Sequence, residues 1–171
     1  MSLLEVMLLD CYKQGDFILS SGKKSDEYYD LTSLLLDCRG LNLIGIQIMN
    51  TLKKIEYDAL GCLELSSVSL VGVLLFMCRK KGFIVRKEQK GYGTNKLVEG
   101  DLKFGDKVVI IEDVISTGQS VLKAINAVKE LGCEVVCIIA IINRQEGCDE
   151  LLKDYNFKWL FTKVELEKIR R

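Results

Sequence analysis

Val108-Val109-Ile110-Ile111-Glu112-Asp113-Val114-Ile115-Ser116-Thr117-Gly118-Gln119-Ser120 is the stretch on which the fold turns. Four β-branched apolar residues after Lys107 read as a buried strand. Two adjacent carboxylates end the run. A turn of small residues follows, and helical spacing begins at residue 117 and continues to 131, where Gly132 stops it. Strand, small-residue turn and helix in that order suit the crevice beyond the carboxyl end of a parallel sheet. There the first turn of the helix offers unpaired backbone N–H groups and the positive end of its dipole, a ready anion site. Gly118 allows close approach, and the hydroxyls of Ser116, Thr117 and Ser120 add donors. Glu112 and Asp113 are suited to accept hydrogen bonds from vicinal hydroxyls. The competing role of such a turn is an ordinary helix cap, but that leaves two adjacent carboxylates at the end of a buried strand without a purpose.

Outward from this stretch, apolar runs alternate with helical spacing. Residues 2–13, 41–55, 68–80, 149–155 and 163–169 read as helices. Residues 59–63, 83–86, 134–142 and 158–161 read as strands, with 134–142 apolar enough to be buried on both faces. Residues 17–19 and 28–31 bracket a polar turn and suggest a hairpin. Residues 87–105 are polar, glycine-containing and aperiodic, long enough for a functional loop. Strands separated by helices predict an α/β fold with a mostly parallel central sheet of about five strands, flanked by helices.

The totals are consistent with one compact domain: 171 residues, 49% hydrophobic. Lysine plus arginine number 24 and aspartate plus glutamate 24, so no global charge favours nucleic acid or an anionic membrane, and an anion site must be local. No apolar run reaches the ~18 residues that span a bilayer, and the N-terminal residues read as an amphipathic helix rather than a signal peptide, so the expected compartment is cytoplasmic. The chain has no histidine and no proline, and seven cysteines. Without histidine the Ser/His/Asp and Cys/His nucleophiles are excluded, and no zinc spacing is present. Cys133 and Cys137, four apart in an expected strand, are expected to share a face as buried thiols.

The segment 108–120 resembles the phosphoribosyl pyrophosphate (PRPP) signature of type I phosphoribosyltransferases. Three further segments narrow the resemblance to the orotate phosphoribosyltransferase family. Arg86-Lys-Glu-Gln-Lys-Gly-Tyr-Gly-Thr-Asn-Lys-Leu-Val-Glu-Gly100 is similar to its mobile catalytic loop, although most lysine-rich loops are merely solvated. Gly15-Asp-Phe-Ile-Leu-Ser-Ser-Gly-Lys-Lys-Ser-Asp-Glu-Tyr-Tyr-Asp30 is similar to its hood, although an ordinary hairpin with two core tyrosines also fits. Ile142-Asn-Arg-Gln-Glu-Gly147 resembles its Asp-Arg-x-x-Gly segment, with a structural salt bridge as the other role for Arg144.

The resemblance implies a type I phosphoribosyltransferase fold with a hood over residues 1–35 and a core over 36–171. It implies transfer of ribose 5-phosphate from PRPP to orotate, giving orotidine 5′-phosphate and pyrophosphate in pyrimidine biosynthesis. Lys90, Glu112 and Asp113 would be catalytic. Arg86, Lys87, Glu112, Asp113, Ser116, Thr117, Gly118, Gln119 and Ser120 would bind PRPP; Ser21, Tyr28, Tyr29 and Arg144 would bind orotate. Mg²⁺ would bind through substrate oxygens, with Asp113 as the one protein carboxylate offered. A homodimer is implied, and neither nucleic acid nor a membrane. The sequence departs from the pattern at Ser20 (usually lysine), at Glu64-Leu-Ser-Ser-Val-Ser69 (usually Gly-Gly-x-Pro-like), at Tyr92 (often histidine) and at Asn143 (usually aspartate). Those departures keep alive a weakened or inactive PRPP-binding paralogue, either regulatory or stabilising a partner, and a transferase for another base.

Overall fold

β-branched runs form the spine of the molecule. The structure, a computed structural model, describes residues 2–18, 22, 24–88 and 96–170. In chain order the elements are α1 (Leu3–Asp10), β1 (Tyr12–Ile18), β2 (Lys24–Tyr29), α2 (Thr32–Leu35), α3 (Cys38–Leu52), β3 (Ala59–Leu63), α4 (Val68–Cys78), β4 (Lys81–Val85), β5 (Val98–Gly100), β6 (Lys107–Ile115), α5 (Gln119–Glu130), β7 (Glu134–Asn143), α6 (Cys148–Leu151), β8 (Phe157–Thr162) and α7 (Lys163–Arg170). β1 and β2 form an antiparallel pair of their own. The other strands make a six-stranded sheet in the order β5-β4-β3-β6-β7-β8, parallel except for β5 against β4. The α/β architecture with a mostly parallel sheet is the one expected; the sixth strand is the addition.

Both faces of the sheet are buried, and side-chain alternation divides the core in two. Val109 and Ile111 face α3 and α4, where Ile44, Ile48, Leu70 and Leu74 pack. Val108 and Ile110 face α5, meeting Val121, Ala124, Ile125 and Val128. Cys133 and Cys137 do not share a face. Cys133 lies with the α5 layer and Cys137 with the α3/α4 layer. Cys133 precedes the strand, and the register slips by one residue between the pairs Val108–Val135 and Val109–Cys137, which inverts the parity that a spacing of four would keep.

Element ends moved for local reasons. The first helix, capped at Ser2, stops at Asp10, and Tyr12 already pairs with Tyr29 in the hairpin. α3 starts earlier than its apolar spacing, because the Asp37 carboxylate accepts from the N–H groups of Arg39 and Gly40 at 2.9 and 3.1 Å. Among the described residues no helix is long and apolar enough to cross a membrane.

Strand order reverses between β3 and β6: from β3 the chain moves outward to β4, then returns to β6 on the other side. This is where open parallel sheets bind ligands. β6 is also longer than its neighbour. It pairs with β3 only as far as Ile111, whereas it pairs with β7 to Ile115. Glu112 to Ile115 therefore form a shelf with one side unpaired by β3.

Candidate active site

A cleft of about 1120 Å³ opens over that shelf. Glu112 and Asp113 form its acidic side. Burial, then the adjacent Asp113, pushes the Glu112 carboxyl well above the usual glutamate value, against the backbone of Leu63 and the charge of Lys87, which pull it down. Its Oε2 is buried and accepts no hydrogen bond. Burial also raises Asp113, opposed by the Ser66 hydroxyl and by the Val114 N–H, which donates to Oδ1 at 2.8 Å. Among the described residues no ion pair holds either acid. Two close carboxylates with so little compensation repel one another and await donors or a cation.

The anion turn follows directly. Gly118 stands at φ +81°, in the left-handed region that glycine adopts without strain. A Cβ there would lie 3.2 Å from Leu151 Cδ2. Gly118 is the N-cap of α5, and no side chain caps that helix. The leading N–H groups of α5 are thus left for a ligand. Ser116 and Ser120 line the cleft; Thr117 and Gly118 of the turn and Gln119, the first residue of α5, do not.

Across the cleft stand Arg86 and Lys87, carried there by the end of β4. Their position is fixed by Glu64, which the sequence reading did not single out beyond its place in a divergent loop. Glu64 Oε1 accepts from the Lys87 N–H at 2.9 Å, and Oε2 lies 3.6 Å from Arg86 Nη1. Arg86 Nε is buried without a partner. The serines of that loop have divergent uses. Ser66 serves Asp113, Ser69 donates to the Leu35 carbonyl at 2.7 Å, and Ser67 Oγ is buried without a hydrogen bond.

The hood residues separate by strand parity. Tyr28, 39% exposed, stacks on Phe17 at 5.4 Å and lines the cleft. Tyr29 is 4% exposed, packs edge-on against Tyr12 and, through burial first, has its hydroxyl pushed up to about 12. It lines the cleft as well, from within the core. Arg144 also lines the cleft, but its side chain is 3% exposed and already engaged. Its Nη2 donates to Glu27 and Ser25 at 3.2 Å and forms an ion pair with Glu146 at 2.8 Å, while Nε is buried without a partner. Lys163 pairs with the same Glu27. None of Glu27, Glu146 and Lys163 was singled out from sequence; the only signal was that a buried arginine requires carboxylates somewhere. Ser20, Ser21, Lys90 and Tyr92 lie outside the described residues.

Asn143, where the pattern has aspartate, is buried and hydrogen-bonded through both its amide nitrogen and its oxygen. It donates to Asp149 Oδ1 at 2.8 Å and accepts from the Gln145 N–H at 2.7 Å and from Cys148 Sγ at 3.0 Å. The neighbouring Asp149 supplies the negative charge that the asparagine lacks.

A paired-acid shelf, an uncapped glycine turn and an opposing cationic wall stand together at a strand-order reversal. The family model for the phosphoribosyl transferase domain matches residues 46–169. Over 150 residues the chain is 41% identical to the orotate phosphoribosyltransferase of Pyrococcus abyssi, covering 86% of this chain and 82% of that one. The crystal structure of orotate phosphoribosyltransferase from Aeropyrum pernix matches with a TM-score of 0.83 at 30% identity, over 99% of this chain and 98% of that one. UMP synthase of Leishmania donovani matches with a TM-score of 0.86 at 28% identity, over 97% of this chain but 37% of that longer chain. The chain belongs to the orotate phosphoribosyltransferase family.

Proposed function

We propose that this protein transfers ribose 5-phosphate from PRPP to orotate, releasing pyrophosphate and forming orotidine 5′-phosphate in cytosolic pyrimidine biosynthesis. The observation that carries the reading is the under-compensated pair Glu112 and Asp113 on the β6 shelf, immediately before the uncapped N-terminus of α5. The 5′-phosphate takes the N–H groups of the turn, with the Ser116, Thr117 and Ser120 hydroxyls. The ribose diol donates to the two carboxylates. As the C1–pyrophosphate bond lengthens, positive charge on the ribose meets their negative field, an electrostatic stabilisation specific to the transition state. Arg86, Lys87 and Lys90 neutralise the departing pyrophosphate. The N1 proton of orotate is lost as the C1–N1 bond forms, and the departing pyrophosphate, itself a basic anion, takes it, so no histidine is required as base. Tyr28 packs on the pyrimidine face, and Arg144 takes its carboxylate, for which a planar guanidinium is well shaped.

Mg²⁺ fits this donor set. The groups available are hard carboxylate oxygens, and Glu112 Oε2 lacks any partner. Among the described residues no three acidic, histidine or cysteine side chains form a site alone, so Asp113 or Glu112 would share the ion with substrate oxygens. When bound, the ion offsets charge on pyrophosphate. We assign residues 1–35 to a hood over the core and take the active form to be a homodimer, in which Lys90 serves the partner's site.

The test follows orotate absorbance with purified protein, PRPP and Mg²⁺, beside Lys90→Ala. Orotate loss in the wild type alone supports the reading. Intact PRPP binding by calorimetry without orotate loss would move the assignment to another base or a regulatory role.

A further inference from the structure

The base end holds a group that neither the sequence pattern nor the mechanism above uses. Glu27, on β2, is buried against Arg144 and Lys163. We propose that Glu27 is a positioning and specificity-determining residue, an internal carboxylate that occupies Arg144 until a carboxylated pyrimidine exchanges with it, Lys163 keeping Glu27 paired meanwhile. The inference rests on the reading that Arg144 receives the orotate carboxylate.

Valence carries the argument. A guanidinium Nη bears two hydrogens. Three acceptors already surround Arg144 Nη2: Ser25 Oγ, Glu27 Oε1 and Glu146 Oε1. Nε is buried without a partner, but both two-bond faces of a guanidinium, Nε with Nη2 and Nη1 with Nη2, use Nη2, so a carboxylate that binds Arg144 as a fork displaces one acceptor there. Glu27 is the one that can leave at low cost, because Lys163 holds the same oxygen and keeps its charge paired. Charge points the same way. Glu27, Glu146 and Glu167 face Arg144 and Lys163, so the cluster carries one excess negative charge and opposes an arriving anion. The contacts come from three distant parts of the chain: β2, the turn after β7, and α7. The hood hairpin and the C-terminal helix therefore set together how available Arg144 is.

The test is the steady-state KM for orotate of Glu27→Gln, with the KM for PRPP and kcat measured alongside. Glutamine keeps the shape and removes the charge. The KM for orotate should fall about fivefold, the scale of one charge-assisted hydrogen bond relieved, while the KM for PRPP and kcat move far less. A KM for orotate that rises or stays put overturns the proposal and makes Glu27 a support for Arg144. Lys163→Met provides the opposite sign, since Glu27 then has only Arg144: its KM for orotate should rise, and a fall or no change also overturns the proposal. If Glu27→Gln fails to fold, that second variant decides. A wild type that does not consume orotate removes the functional reading itself, whereas a wild type that does, with unresponsive variants, removes only this inference.

Discussion

The two ends of the cleft are built on opposite electrical principles. At the phosphate end two acids stand together without an ion pair among the described residues, and a helix begins without a side-chain cap. At the base end one nitrogen of a buried arginine, Arg144 Nη2, is surrounded by three acceptors for its two hydrogens. The first end is completed by its ligand and is unfavourable without it. The second already has its charges paired within the protein, so on the exchange proposed above a ligand enters by replacing an internal partner. Substitutions of the two acids at the first should therefore cost activity while relieving the empty protein; substitutions at the second should cost folding or shift affinity.

The largest effect is expected from Glu112→Gln with Asp113→Asn. The double variant should lose about 10³-fold or more in kcat/KM, measured by orotate absorbance, as is usual when transition-state electrostatics are removed. A loss below tenfold would break the contrast, because the acids would then be structural. Next comes Asn143→Asp, which sets a carboxylate against Asp149 where a 2.8 Å hydrogen bond now stands. Urea unfolding should register a loss of about 3 kcal/mol, and adding Asp149→Asn should recover most of it. Failure of the second change to rescue would detach the Arg144 turn from this pair. Gly118→Ala should follow, at about 1–2 kcal/mol, since alanine must adopt φ +81° with its Cβ 3.2 Å from Leu151. Its KM for PRPP should rise more than its KM for orotate.

The smallest effect runs in the other direction. The folded-state pKa of Glu112 is raised above its ordinary value, so the folded protein binds that proton more tightly than the unfolded chain does. Its favourable contribution is full below the ordinary value and lost as pH rises through the raised one. Thermal melting of ligand-free Glu112→Gln at about pH 8 should thus exceed the wild type by a few degrees, with the gap closing at acid pH. An equal or lower melting point at the higher pH would mean the phosphate end is not unfavourable when empty.

Much of this was readable in the chain, and the reason differs by region. β3, β6 and β7 are apolar runs buried on both faces, so composition alone marks them. The acids and glycine turn were readable because their chemistry is local: each acts from its own position on one strand–turn–helix unit. β5 was not readable, since Val98–Gly100 is three residues long and follows a polar stretch. The slip in β7 was not readable either, because only the pairing with β6 reveals it. Tyr28 and Tyr29 looked equivalent until strand parity exposed one and buried the other in the core, both of them lining the cleft. The Glu27–Arg144 pair joins residues 117 positions apart, and nothing in either neighbourhood announces the other.

β5 has a consequence for how this family can vary. It runs antiparallel to β4, with Val98 opposite Val85, and the Arg86 N–H donates to the Leu97 carbonyl at 2.9 Å. The chain therefore departs from the sheet and rejoins it on adjacent rungs. Such a junction works as a fixed socket. The stretch between can be lengthened, shortened or exchanged between homologues without disturbing any rung, because doubling a closed loop costs only about 0.6 kcal/mol. Val85 and Val98 thereby mark the paired rungs between which a segment from a relative can be grafted while β4 and β5 keep their register.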